Sequence, residues 1–184
     1  ITGSLANAGQ ATNSGTITGG LTNAGTVTAS AGRIDGAIRN EAGLFTVSGT
    51  VTSDGTLANA AGATLAVAGT YSLSGRLTST GTVTVAPTGS LTARAGLRNA
   101  GSLFNSGILA GGLTNTGIVT ASAGRIDGAI RNDAGTLAVT GAVASDGTLA
   151  NAAGATLAVT GTYSLAGQLT NAGTVAVTDG GRFL

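Results

Sequence analysis

The residues best placed to do chemistry in this 184-residue chain are four aspartates. Asp35 and Asp54 each lie three positions before a recurring Leu or Ile, and Asp127 and Asp146 repeat that arrangement 92 residues later. If successive repeats stack, each pair of carboxylates meets, and paired carboxylates can hold Ca²⁺ or divide the roles of acid and base. A second reading is local. Both members sit in Asp-Gly steps, where Asp favours the turn through its own backbone, and Arg33 or Arg39 can neutralise them. The turn reading is the better account of the residues, because one chain carrying the same active site twice would be unusual. No catalytic, cofactor-binding or metal-binding residue is therefore assigned, and no cofactor is expected.

Three other groups invite a functional reading. Arg33, Asp35 and Arg39, with their counterparts Arg125, Asp127 and Arg131, form the one charged patch of each 92-residue unit. Such a patch is a solvated face whose exposed ion pairs contribute little, or an adhesive surface recurring every five repeats. Tyr71 and Tyr163 occupy equivalent places and are either packing residues or a platform for stacking sugars. Thr-x-Thr pairs such as Thr26/Thr28 and Thr82/Thr84 are reminiscent of ice-binding arrays. Here Leu44, Ser102 and Ile118 interrupt one Thr column, and Ala66, Ala138 and Ala158 interrupt its neighbour, so ordinary outward strand surface explains them better.

Composition removes most other chemistry. Cys, His, Lys, Met and Trp are all absent. That excludes disulfides, thiolate metal sites, Ser-His-Asp triads, imidazole ligands, Schiff bases and the P-loop lysine. The eight basic residues are all Arg and are balanced by seven acidic ones, for a net charge of +1. Without a basic cluster the chain lacks the footprint of a nucleic-acid binder. The apolar runs are too short to cross a bilayer, so no part of this segment is expected to be membrane-embedded. The amino-terminal residues carry no signal-peptide pattern.

The elements that position these residues emerge from the repeats. Leu5–Gly89 aligns on Leu97–Gly181 without a gap, with 60 identities in 85 positions. The chain divides into two tandem units, 1–92 and 93–184, of five repeats each. Within them an apolar anchor recurs at Leu5, Leu21, Ile38, Leu57, Leu77, Leu97, Leu113, Ile130, Leu149 and Leu169, at spacings of 16 to 20 residues. Asn follows each anchor by two positions in nine of ten cases, with Ser79 the exception. Asn13 and Asn105 stand outside this column and match each other across the duplication. Gly follows within two or three residues of that column and precedes the anchor by two, except at Ala95.

Between these marks, Thr64-Leu65-Ala66-Val67, Thr70-Tyr71-Ser72-Leu73 and Thr82-Val83-Thr84-Val85 alternate larger apolar residues with Thr, Ser or Ala, which is the period of a strand. Three strands of about four residues in each 16–20-residue repeat predict an all-β fold: a right-handed parallel β-helix of about ten coils. Coils about 4.8 Å apart would make a rod of roughly 48 Å. Leu, Ile and Val then stack inward, Gly supplies corners that a Cβ would obstruct, and Asn amides stack, each donating to the next. Solenoid stability sums neighbour interfaces and its ends need caps or continuation. Both ends of this chain match repeat interior, so it reads as an excerpt.

Leu57-Ala-Asn59-Ala-Ala-Gly62 and Leu149-Ala-Asn151-Ala-Ala-Gly154, repeated along essentially the whole chain, resemble bacterial surface β-helices. The nearest are filamentous-haemagglutinin-type exoproteins and the passenger domains of autotransporter adhesins. That resemblance implies a secreted protein on the outside of the Gram-negative outer membrane, acting in adhesion, autoaggregation, biofilm formation or virulence. Its implied partners are a surface receptor or glycan, of host or bacterium, or further copies of itself, and not nucleic acid. The 16- and 17-residue coils are shorter than that pattern. The alternatives are a carbohydrate-binding or polysaccharide-cleaving β-helix and, behind it, an ice-binding one.

Overall fold

Period two and Gly/Asn punctuation do produce strands. The computed structural model describes residues 1–178 and 180–184, and among these there is no helix. The anchor tripeptides, from Leu5–Asn7 and Leu21–Asn23 through to Leu169–Asn171, are strands of one ten-stranded parallel sheet in chain order. Their register sets anchor on anchor and Asn on Asn, as in Leu21↔Ile38 and Asn23↔Asn40. Each anchor strand begins one coil, numbered 1 to 10 below. The sheet runs across the boundary between the two units without a break, with Leu77 of coil 5 on Leu97 of coil 6. The fold is a parallel β-solenoid.

The rest of each coil supplies two segments to a second, 16-stranded sheet. In coil 4 these are Thr64–Val67 and Thr70–Leu73, separated by Ala68-Gly69. Four coils depart from the expected three short strands. In coils 2, 3, 7 and 8 the two segments fuse into Thr26–Ile34, Leu44–Ser53, Ile118–Asp127 and Thr136–Ser145. Between fused neighbours the register slips by one residue: Ala29 pairs with Val47, but Ala31 already pairs with Thr50. A bulge absorbs the extra residue while parallel pairing continues on both sides of it. The same shift recurs between Ala121 and Ala123.

Alternation decides what is inside. Phe45, Val47, Leu65, Val67, Val83 and Val85 are fully buried, and the anchors from Leu21 to Leu149 line the opposite wall. Each inward side chain lies on its equivalent in the next coil, so the core is one continuous stack. Glycine at the corners answers two separate constraints. Gly43 has φ +71°, which costs an L-residue energy. Gly55 has an ordinary backbone, but a Cβ there would overlap the carbonyl oxygen of Gly36 in the coil below. Coil spacing therefore dictates glycine even where the dihedral angle does not.

The Asn column forms the amide ladder that stacking predicts. Nδ2 of Asn7, Asn23 and Asn40 donates to Oδ1 of the next Asn at 2.8, 2.8 and 2.7 Å. In the second unit Asn99, Asn115, Asn132 and Asn151 do the same at 2.8–2.9 Å. Each amide also caps a backbone carbonyl at its corner, as Asn40 does for Thr64 at 2.9 Å. Buried polar groups cost energy unless paired, so the ladder allows a polar corner to face the core. It has one gap. Asn59 donates to Ser79 Oγ at 3.1 Å, and that hydroxyl turns to the carbonyl of Gly81. Asn99 Oδ1 is left buried without a donor.

Candidate functional site

The corner between the second sheet and the anchor strands brings the paired aspartates together, as their spacing predicts. In coils 2 and 3 one guanidinium serves both: Arg33 Nε donates to Asp35 Oδ1, and Arg33 Nη2 lies 3.3 Å from Asp54 Oδ2. Asp54 Oδ1 also accepts the backbone N–H of Gly36 at 2.7 Å. That hydrogen bond, and then the charge of Arg33, hold the Asp54 carboxyl below its ordinary range. The second unit repeats the geometry. Arg125 Nε and Nη2 contact Asp127 Oδ1 at 3.0 and 2.9 Å, and Gly128 N–H donates to Asp146 at 2.7 Å.

Two carboxylates sharing an arginine and a backbone donor are already satisfied. A calcium site would need them to face a common centre with further oxygen ligands, and among the described residues no group of three or more acidic side chains is poised to hold a metal. Acid–base work needs two carboxyls of differing proton affinity facing one substrate, whereas here both face the same cation. The ion pairs are solvent-exposed, so their contribution to stability is small. Arg39 forms no ion pair among the described residues; it lies on the outer face of the anchor sheet, between Thr22 and Ala58. Its counterpart Arg131 instead pairs with Asp133 at 3.1 Å, an acid two positions on that replaces the longer Glu41 of the first unit.

The tyrosines are not a sugar platform. Tyr71 and Tyr163 are fully buried, sharing the inward parity of Leu73 and Val143. Tyr71 packs edge-on against Phe45, with ring centroids 6.1 Å apart, and donates to Ser53 Oγ at 3.0 Å. Tyr163 donates to Ser145 Oγ at 3.1 Å. Burial pushes both phenols up from their ordinary value. Below pH about 10 a phenol is neutral in both folded and unfolded chains; above it the unfolded chain alone ionises, so stability falls as pH rises. We expect tyrosinate absorbance to appear in one steep step together with loss of the β-sheet circular dichroism signal. A shallow titration near pH 10 with the fold intact would place the rings outside.

One feature of the anchor sheet was not foreseen from the sequence. Arg76, Arg98 and Arg131, with Thr114, Ala129 and Asp133, line an open cleft of about 420 Å³ on its outer face. These arginines come from coils 4, 6 and 8, so no linear spacing announces them. Arg76 Nε reaches the carbonyl of Ala95 at 3.4 Å, and the Arg131 side chain is 65% exposed.

Comparison with known proteins finds no matching family, no matching curated protein and no matching solved structure. No helix of the described chain is long and apolar enough to cross a membrane.

Proposed function

We propose that this chain is a structural and adhesive stalk segment of a secreted bacterial cell-surface protein, working in adhesion, autoaggregation or biofilm formation. Continuity carries the proposal. One core runs through all ten coils and an Asn column through all but the fifth, where Ser79 stands, and among the described residues the links between strands are short corners with no long loop to build a groove. Such an object is suited to extend and to present a surface. Its position outside the Gram-negative outer membrane rests on the resemblance to haemagglutinin-type exoproteins and autotransporter passengers.

A second reading, carbohydrate binding, draws on the arginine-lined cleft, whose cations suit a carboxylate- or sulfate-bearing glycan. One experiment addresses both readings. The chain is incubated with neutral and acidic polysaccharides while binding and product release are followed. The stalk reading expects no release of products. Turnover that disappears in the Asp35→Asn/Asp127→Asn variant would overturn it. Retention on acidic polysaccharides alone, lost in Arg98→Ala, would favour the second reading.

A further inference from the structure

The second sheet has a face whose chemistry differs between the two units. In the first strand segment of each coil, positions one and three point outward, from Gln10 and Thr12 in coil 1 to Thr174 and Ala176 in coil 10. None of these outward residues is charged. In the first unit, Thr12 and Thr26 hold the places that Phe104 and Ile118 take in the second. Phe104 is 45% and Ile118 53% exposed. They stand in adjacent coils, because Phe104 pairs with Thr120, two residues from Ile118. That diagonal, about 7–8 Å, lets large side chains touch. Ile108, 41% exposed, flanks them across the next corner.

Large, well-exposed apolar side chains that replace threonine on an otherwise uncharged strand surface mark a contact. We propose that this face is a homodimer interface, in which Phe104 and Ile118 of two copies pack together around a twofold axis between coils 6 and 7. Three observations select a second copy as the occupant. The uncharged face brings no like charges together when it meets itself. Its corrugation has the coil spacing of about 4.8 Å, which a second copy matches by construction. The two large residues form one self-complementary patch, which favours a closed pair over an open fibre.

Area then sets the strength. A twofold axis there lays coils 3–10 of one copy on coils 10–3 of the other. Eight coils at about 4.8 Å by four residues at about 3.3 Å give about 500 Å² per copy, or about 1,000 Å² in total. That is the lower limit of specific interfaces, so the dimer is weak, with a dissociation constant on the order of micromolar or above. The stalk reading supplies a purpose for this contact. Polysaccharide turnover would remove that reading and leave the dimer, while a strictly monomeric chain would remove the dimer alone.

The test is sedimentation of the 184-residue chain from about 1 μM to about 1 mM, with circular dichroism recorded on the same samples. A concentration-dependent shift from monomer to dimer is expected. The Phe104→Thr/Ile118→Thr variant, which restores the first unit's residues, should weaken association at least tenfold with the fold intact. Because the chain has no cysteine, a single Thr120→Cys on the patch should form an intermolecular disulfide at high concentration far faster than Thr114→Cys on the opposite sheet. A monomer at every concentration overturns the proposal. So does a double variant that associates as tightly as the parent, or equal cross-linking from both cysteines.

Discussion

Replacing Asn115 by Ala is expected to cost about 3–5 kcal/mol. The Asn115 amide donates to Gly117 O at 3.1 Å, Asn132 Oδ1 at 2.8 Å and Thr136 O at 3.2 Å. Its oxygen accepts from Asn99 Nδ2 at 2.9 Å and from Gly117 N–H at 3.2 Å. Each bond alone is worth about 1 kcal/mol net, but the residue is fully buried, so what it leaves behind matters more. Asn132 Oδ1 would join Asn99 Oδ1 and Asn105 Oδ1 as a buried acceptor without a donor.

The loss has a particular form in a solenoid, where each coil contacts only its neighbours. Weakening coils 6 to 8 should lower the melting temperature and also separate the transitions of the flanking coils. Thr114→Ala, one residue away on the outer face, should stay within about 0.5 kcal/mol of the parent. Asn115→Asp keeps an acceptor for Asn99 but sets a carboxylate oxygen against Asn132 Oδ1 and Thr136 O. Burial there raises its proton affinity, so that variant should lose stability as pH rises above the ordinary Asp range and regain it in acid. Urea unfolding at several pH values reads all three changes. A cost below about 1 kcal/mol for Asn115→Ala would mean that the stacked amides do not hold the coils together.

The solenoid was legible in the sequence because stacking converts linear spacing directly into contact. An anchor every 16–20 residues, an Asn two places on and a Gly beyond it each became a column. Tyr71 was open to a packing or a sugar-stacking reading, and its parity with the buried Leu73 decides for packing, while an Asp at a fixed distance before two successive anchors already placed Asp35 beside Asp54. What the sequence withheld depends on direction or on several coils at once. The register slip between the fused strands of coils 2 and 3, and of coils 7 and 8, is a relation between neighbours that the composition of neither corner shows. The arginine cleft gathers residues from coils 4, 6 and 8 that no single repeat contains. Ser79 was visible as an exception, but not which atom it would orphan, because that depends on which way the amides donate.

That direction makes Ser79→Asn the most informative stabilising change. Every amide of the ladder donates toward the carboxyl-terminal coil, so the residue at position 79 must accept from Asn59 and donate to Asn99. Serine accepts, at 3.1 Å from Asn59 Nδ2, but its short hydroxyl is spent on Gly81 O at 3.3 Å. Asn99 Oδ1, in a residue only 1% exposed, receives nothing. The corresponding position of the second unit is Asn171, where the amide does accept from Asn151 at 2.8 Å, so the corner geometry accommodates the larger side chain. Satisfying a buried acceptor recovers about 1–3 kcal/mol, and ordering an amide side chain takes back part of it. A net gain of about 1–2 kcal/mol is expected, or about 2–8 °C in melting temperature for a chain of this length. Ser79→Ala should fall on the other side, about 1 kcal/mol below the parent, because Asn59 then loses its acceptor. The order Asn above Ser above Ala requires a ladder interrupted at coil 5. If Asn ranked below Ser, the gap would instead be a place where the corner is too tight for an amide, and the orphaned oxygen of Asn99 would be the cost of that fit.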